Sequence, residues 1–272
     1  MGKRDKKNRT NTIIHKDNKM FSIITACSNG EQFLDTWVKS ILKQTYRPLE
    51  VSVCDDLSTD RTVQKIMDLC LPQLQEVDIS LVMKVNSRKH KYGSSLSYTV
   101  QYAKGLYFGV LDIDDALSDD AVASVMKVYS KYPDVGHVYT QFDIHDCEMN
   151  FKKTGFSKLP RKGSNILDEG WSYGEHIYSH FRTFSKQVPD YLTVIPKARY
   201  AVDQHMGMAL EERTPGVFLN KVCYIYRAGC EDSISSRWGA QRREYWYKLM
   251  ESLLERRRRK RIRVHPIIEV VD

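Results

Sequence analysis

The densest concentration of reactive groups in the chain is Asp112-Ile113-Asp114-Asp115, where an apolar run, Leu106-Tyr107-Phe108-Gly109-Val110-Leu111, breaks into three carboxylates. A short apolar run reads as a buried strand, and in open α/β sheets ligands sit in the crevice beyond the carboxyl ends of the strands. If the backbone stays extended, Asp112 and Asp114 project to one side and Ile113 to the other. Two like charges so placed repel. A hard divalent cation, which takes oxygen ligands and bridges to phosphate oxygens, relieves that repulsion. Asp-X-Asp is common by chance, and the plainer alternative is a solvated turn or helix N-terminus with Asp119 and Asp120 nearby.

The elements around this cluster decide what it can meet. Phe21–Ala26 reads as a first strand, followed by an Asn29-Gly30 turn. Phe33, Leu34, Trp37, Val38, Ile41 and Leu42 then recur on one helical face between Glu31 and about Lys43. Leu49–Cys54 is a second strand ending in Asp55-Asp56, and Ser58-Thr59-Asp60 supplies N-cap chemistry for a helix through Leu69. Ile79–Val85 is a third strand, Ser94–Ala103 a helix and Leu106–Leu111 the fourth strand. Beyond the cluster, Ala121–Tyr132 is a helix and Gly136–Gln141 a strand. Strands alternating with helices predict a mainly parallel sheet with helices on both faces. Asp55-Asp56 and Asp112-Asp114-Asp115 would then open onto one sheet edge and share one crevice.

The polar stretch from about Asp143 to Gly170, with Lys152-Lys153 and Pro160, reads as an excursion or lid. Gln241–Arg259 carries Tyr245, Trp246, Leu249, Met250, Leu253 and Leu254 on a helical stripe, a packing face. With 272 residues, 42% of them hydrophobic, the chain can bury one large core. No apolar run approaches the roughly eighteen residues of a membrane span, and no secretory signal is apparent; a soluble, cytoplasmic protein is expected, with peripheral membrane contact through its basic ends as an option. The six cysteines include no CxxC pair, and reduced core thiols are expected.

The net charge of +8 is concentrated in the ends. Residues 1–19 are expected to form a basic, disordered arm, and residues 256–272 a basic tail. The run Arg256-Arg257-Arg258-Arg259-Lys260-Arg261 could contact nucleic acid, anionic lipid or an acidic polysaccharide, or could be a solvated helix end complementing the macrodipole.

Ser22-Ile23-Ile24 through Asn29-Gly30-Glu31, then Ser40-Ile41-Leu42-Lys43-Gln44-Thr45, then Asp55-Asp56-Leu57-Ser58-Thr59-Asp60, then Ala103-Lys104-Gly105 with Leu111-Asp112-Ile113-Asp114-Asp115, resemble in order and spacing the blocks of family 2 glycosyltransferases, with the GT-A fold. Further on, Asp119-Asp120-Ala121-Val122, Val138-Tyr139-Thr140, His180-Phe181-Arg182-Thr183-Phe184, Ala201-Val202-Asp203 and Asn220-Lys221-Val222-Cys223-Tyr224 resemble the transferase domains of bacterial chondroitin and hyaluronan synthases. The similarity runs from about residue 20 to 255. It implies a single GT-A domain, with a nucleotide-binding half over 20–115 and an acceptor and catalytic half over 116–255.

The resemblance also implies roles. Asp56 would contact a uracil-type base, and the backbone around Ala26 to Ser28 would line the nucleoside. Asp112 would lie towards the ribose, with Asp115 beside it in the nucleotide-sugar site. Asp114 would bind Mn2+ bridging the diphosphate of a UDP-sugar, and His180 would add a nitrogen ligand; mixed imidazole and carboxylate ligation suits manganese better than Mg2+. Asp203 matches the general base that takes a proton from the hydroxyl of a saccharide acceptor, giving single displacement with inversion. The alternative for Asp203 is a helix N-cap, and for His180 a satisfied core or surface histidine.

Several positions depart from the family pattern. Ser28 stands where many relatives place an aromatic ring, Leu57 replaces a usual glycine, and Gln204-His205 replaces an aromatic-acidic pair. The Gln-x-x-Arg-Trp signature of membrane-embedded processive synthases is missing, since Ile234 precedes Arg237-Trp238; single-sugar or non-processive addition is expected. The lack of a G-x-x-x-x-G-K-[ST] motif argues against a P-loop phosphotransferase. A non-catalytic GT-A-like binding protein, or a polyanion-binding protein acting through its basic ends, are the remaining readings; acids at strand ends would repel phosphate from the crevice.

Overall fold

The structure, a computed structural model, describes residues 13–14, 19–161, 177–230 and 239–271. Its centre is a mixed ten-stranded sheet. β2 (Phe21–Cys27) and β4 (Leu49–Asp55) are buried along their whole length, as strands covered on both faces must be. The pleat sends alternate residues to opposite sides. Phe21, Ile23, Leu49, Val51 and Val53 join one core and Ile24, Ala26, Phe108 and Val110 the other. β5 (Ile79–Val85) and β6 (Tyr107–Val110) extend this parallel set on either side.

The first core lies under α1 (Leu34–Leu42) and α5 (Ala121–Lys131). α2 (Thr62–Lys65) and α3 (Leu71–Gln75), joined by a π-helical turn over Ile66–Cys70, cover the same face. The helix runs past the expected end at Leu69, the π-helical turn shifting the main-chain bonding just ahead of Pro72 so that the proline is accommodated near the start of α3. The second core lies under α4 (Tyr92–Tyr102), α6 (Val202–Glu211) and α7 (Gly239–Lys260).

The other half of the sheet holds β8 (His137–His145), β10 (Thr183–Ser185), β11 (Gly216–Arg227) and β12 (Ile267–Val270). β10 runs antiparallel between β6 and β8 and joins the two halves. β7 (Ala116–Leu117) pairs with β11. Three expectations are corrected here. The start of the stretch read as an excursion is strand: β8 runs on to His145 and turns back as β9 (Phe151–Thr154), an antiparallel hairpin; residues 162–170 lie outside the described residues. Residues 256–271 are no tail, since α7 reaches Lys260 and β12 pairs in parallel with β11. Cys147 and Cys230 form a disulfide with Cα atoms 5.4 Å apart, although Cys27, Cys54, Cys70 and Cys223 are free and buried as expected. Of the N-terminal arm, Ile13–Ile14 forms β1, parallel to β3 (Tyr46–Arg47); Arg237-Trp238 lie outside the described residues.

Two of the six basic residues of the 256–261 run are anchors, Arg257 buried and Arg256 half-buried. Arg257 meets Glu211 at 2.6 Å and Glu212 at 2.7 Å, and Arg256 meets Glu212 at 2.5 Å. They fasten α7 to the C-terminal end of α6. Elsewhere in this half, His137 is fully buried, and among the described residues neither of its ring nitrogens has a hydrogen-bond partner. Burial, helped by His265, depresses its pKa to about 3. The unfolded chain takes up that proton near pH 6.5 and the folded one does not. Stability is therefore full above about pH 6.5 and falls by about 1.4 kcal/mol per pH unit towards pH 3. His137→Phe is expected to remove about 2 kcal/mol of the acid destabilisation seen between pH 6.5 and 5, measured as urea stability at the two pH values; an unchanged slope would mean the imidazole is solvated.

Candidate active site

The carboxyl ends of β2, β4 and β6 face one way, and main-chain bonds carry the ladder into the loops beyond them. Asp56 N–H donates to Cys27 O at 2.8 Å, Asn86 N–H to Asp55 O at 2.9 Å, and Leu111 N–H to Ile24 O at 3.0 Å. Asp55 turns inward and is fully buried, accepting from Ser58 N–H at 2.9 Å. Asp56 turns to the rim, where Asn86 Nδ2 and His90 N–H both donate to its Oδ1 at 2.9 Å. Ser28 is exposed beside it, its Oγ bonded to Lys89 Nζ at 2.6 Å. Ala26 is a buried strand residue paired with Cys54. Leu57 has φ 57°, the left-handed region where glycine is free and other residues cost roughly 1–2 kcal/mol, which accounts for glycine being usual there. Gly30 lies so close to Ile113 that a Cβ would stand 2.7 Å from Ile113 Cγ1. The first loop is thus packed directly on the aspartate cluster.

Residues 112–115 are a turn, not an extended strand, with Asp115 N–H donating to Asp112 O at 3.2 Å. The turn sends the carboxylates in different directions. Asp115 is buried: Tyr224 Oη donates to its Oδ2 at 2.7 Å and Arg227 N–H to its Oδ1 at 2.8 Å. Burial, then the charges of Asp114 and Asp112, raise its pKa well above the ordinary range. Tyr224 Oη also accepts Asp112 N–H at 3.1 Å, and Arg227 Nε donates to Asp114 O at 2.7 Å. The half-buried Asp114 carboxyl is pushed up to about 6 by burial and by Asp112. Such a pair of close carboxylates suits a cation, whose charge would offset the repulsion that raises Asp114.

Asp112 is held by two groups, the Tyr92 phenol donating to Oδ1 and Arg182 Nη2 lying 3.5 Å from Oδ2. The same guanidinium places Nη1 3.6 Å from Asp203 Oδ2. Arg182 is buried; burial opposes its charge, but Asp112 and Asp203 outweigh it and hold its pKa above the ordinary value. Asp203 is the second residue of α6. The cap position is Ala201, at φ 54° and without a side-chain bond, so the N-cap alternative for Asp203 does not hold.

His180 is buried, its ring stacked on Tyr224 at 4.5 Å and Tyr226 at 5.3 Å, with Phe142 edge-on at 5.2 Å. Stacking occupies the ring faces; metal ligation uses the in-plane nitrogens. Tyr224 therefore links His180 to the aspartate turn. Among the described residues no three carboxylate, imidazole or thiolate groups gather as a metal cage. A cation here would lean on few protein ligands and complete its shell with phosphate and water oxygens, as ions engaged with nucleotides do. The structure thus joins Asp112 to Asp203 through Arg182 and His180 to the aspartate turn through Tyr224, with Asp56 at the end of β4 on the same edge of the sheet and Asp115 turned to the interior. Reading the sequence for reactive groups missed Tyr92, Arg182, Tyr224 and Arg227 as parts of the site. Arg182, a lone cation within His180-Phe181-Arg182-Thr183-Phe184, carried a usable signal, because a charge among aromatics must be paired when buried.

Residues 22–189 match the profile of Glycosyl transferase family 2. The chain is 27% identical over 249 residues to a chondroitin synthase of Escherichia coli, covering 91% of this chain and 34% of that protein. It is 28% identical over 245 residues to a hyaluronan synthase of Pasteurella multocida, covering 86% of this chain and 23% of that one. The chain therefore spans about a third or less of the length of these relatives. Among solved structures, S. aureus TarS 1-349 in complex with UDP-GlcNAc superposes with a TM-score of 0.63 at 16% identity, covering 85% of this chain and 65% of that one. The mannosyltransferase PcManGT from Pyrobaculum calidifontis, in complex with GDP-Man and Mn2+, gives 0.55 at 18% identity, covering 77% and 57%. The fold is the expected α/β GT-A fold.

Arg182→Met removes a buried cation from between two partly exposed carboxylates and is expected to cost about 2 kcal/mol of stability, with Arg182→Lys recovering part. Tyr224→Phe, which removes the donor to Asp115, is expected to cost about 1–3 kcal/mol. Urea unfolding at pH 7.5 reads both; a loss below about 1 kcal/mol for Arg182→Met would show the pair to be effectively solvated.

Proposed function

The chain belongs to glycosyl transferase family 2, and from that premise we propose that it moves a sugar from a UDP-sugar to a hydroxyl of a saccharide acceptor, with a metal ion and with inversion. The observation that carries this reading is the line of charge from Asp112 through Arg182 to Asp203. It joins the loop where a nucleotide would sit to the residue suited to act as base. Relatives named as polysaccharide synthases, and structural neighbours holding UDP-GlcNAc or GDP-Man, support a nucleotide-sugar donor.

In this reading Asp56, with the backbone of Ala26 to Ser28, orients the base, and Asp112 orients the ribose. Asp114 and His180 would hold Mn2+, with Mg2+ the second choice; bound there, the ion stabilises the negative charge that develops on the leaving diphosphate. Asp203 accepts the proton of the acceptor hydroxyl as the oxygen forms its bond to the anomeric carbon and the bond to the diphosphate breaks on the opposite face. Arg182, 3.6 Å away, aims the Asp203 carboxylate. The rival reading through basic ends loses ground, since Arg256 and Arg257 are already engaged by Glu211 and Glu212. No helix among the described residues is long and apolar enough to cross a membrane. A cytoplasmic setting, where sugar nucleotides are made, is part of the proposal.

Asp203→Asn is expected to lower transfer by about 10²–10⁴-fold while UDP binding stays within about twofold, a difference of only ~0.4 kcal/mol. Asp114→Ala and His180→Ala should weaken Mn2+-dependent UDP binding by about tenfold each, roughly 1.4 kcal/mol. Calorimetric titration of UDP beside a transfer assay, after a screen of UDP-sugars for Mn2+-dependent hydrolysis, reads both. Near wild-type transfer by Asp203→Asn would falsify the base assignment.

A further inference from the structure

One strongly charged surface takes no part in the proposed chemistry. Between Asp78 and Asp112 the chain has no carboxylate side chain, yet it carries Lys84, Arg88, Lys89, Lys91 and Lys104. Arg88, Lys89 and Lys91 lead into α4, and Lys197 and Arg199 lead towards α6; all five are exposed. They line one groove of about 480 Å³, together with Ser94. The two basic segments are locked together at its base. Gly93 N–H donates to Ala198 O at 2.9 Å, and a Cβ on Gly93 would fall 1.9 Å from Pro196 O.

Lys89 is partly engaged, bonding Ser28 Oγ and Asp56 O. Among the described residues, Arg88, Lys91, Lys197 and Arg199 pair with no carboxylate. Cations at the start of a helix also oppose its macrodipole, so this charge is held where it costs stability. Like charges kept together and unpaired await an anion from outside. The position of the groove says which. One wall reaches Asp56 through His90 N–H at 2.9 Å, and the other wall runs on from Arg199 to Asp203, four residues later. A molecule lying in it would thus pass from the donor rim to the base.

We propose that this groove docks the acidic groups of an anionic glycan chain, the acceptor of the transfer; this rests on the function proposed above. Its reach from Asp56 at one end towards Asp203 at the other favours a single chain lying along it over a flat bilayer, and an acceptor over a bystander. Carboxylate and sulfate groups would both satisfy these cations.

The test uses the full chain, two double variants, Lys197→Ser/Arg199→Ser and Arg88→Ser/Lys91→Ser, and fluorescence anisotropy with labelled probes. The probes are a hyaluronan decasaccharide for carboxylate, a chondroitin sulfate decasaccharide for sulfate, and a maltodextrin as the neutral control. Each variant removes two exposed cations, so either should bind the acidic probes about tenfold more weakly, and salt should weaken the wild type further. UDP-sugar hydrolysis, which needs no acceptor, should stay unchanged in both variants. The tighter acidic probe identifies the acid. Equal binding by wild type and variants, or equal binding of maltodextrin, overturns the proposal. So does tighter binding of phosphatidylglycerol vesicles or of a dT20 oligonucleotide than of either glycan. Failure of the transferase reading would be seen separately, as no UDP-sugar hydrolysis by the wild type, because anisotropy reads the groove without turnover.

Discussion

A single buried guanidinium holds the two halves of the molecule in one working arrangement. Arg182 stands between Asp112, on the turn after β6, and Asp203, on the first turn of α6. Without it two partly exposed carboxylates would stand on either side of an empty space with no cation between them, and like charges there repel more strongly than in open water. The arginine fixes their separation as well as their charge, since its planar fork presents donors in set directions. Its own place is fixed by β10, the short antiparallel strand inserted between β6 and β8. Sheet topology therefore sets the distance between Asp112 and Asp203.

β11 does comparable work on the far side of the turn. Tyr224 serves Asp112 and Asp115 with one hydroxyl and carries the His180 ring on its face. Arg227, three residues on, holds the main chain of Asp114 and packs its guanidinium 5.0 Å from the Phe33 ring. It also donates to Cys147 O, beside the disulfide. The aspartate turn is thus gripped from behind by one strand and left open only towards the crevice.

The first half of the fold was legible because its signals are local. Alternation in β2 and β4, the helical face of α1 and the acids following each strand lie within a few residues of one another. Asp56 and Asp112 could be placed on one sheet edge from that pattern alone. What was hidden depends on contacts far apart in the chain. The disulfide joins cysteines 83 residues apart, and the turn at 112–115 is imposed by Tyr224 and Arg227, more than a hundred residues later. Arg257 looked like one more charge in a basic run; only the approach of Glu211 and Glu212 makes it interior. Asp203 was placed by family likeness, and its cap role was discarded by one backbone angle at Ala201.

The C-terminal segment has a practical consequence. β12 pairs with β11 from Gly216↔Ile267 to Leu219↔Val270, and the residues it covers include Val217 and Leu219, both buried. A chain trimmed after residue 255 in the belief that a solvated tail was being removed would expose that edge as unpaired, apolar backbone, ready to recruit a strand from another molecule. Shortened versions of this protein would then be lost to aggregation for a reason unrelated to the crevice, and their inactivity would be misread as a fault in the chemistry.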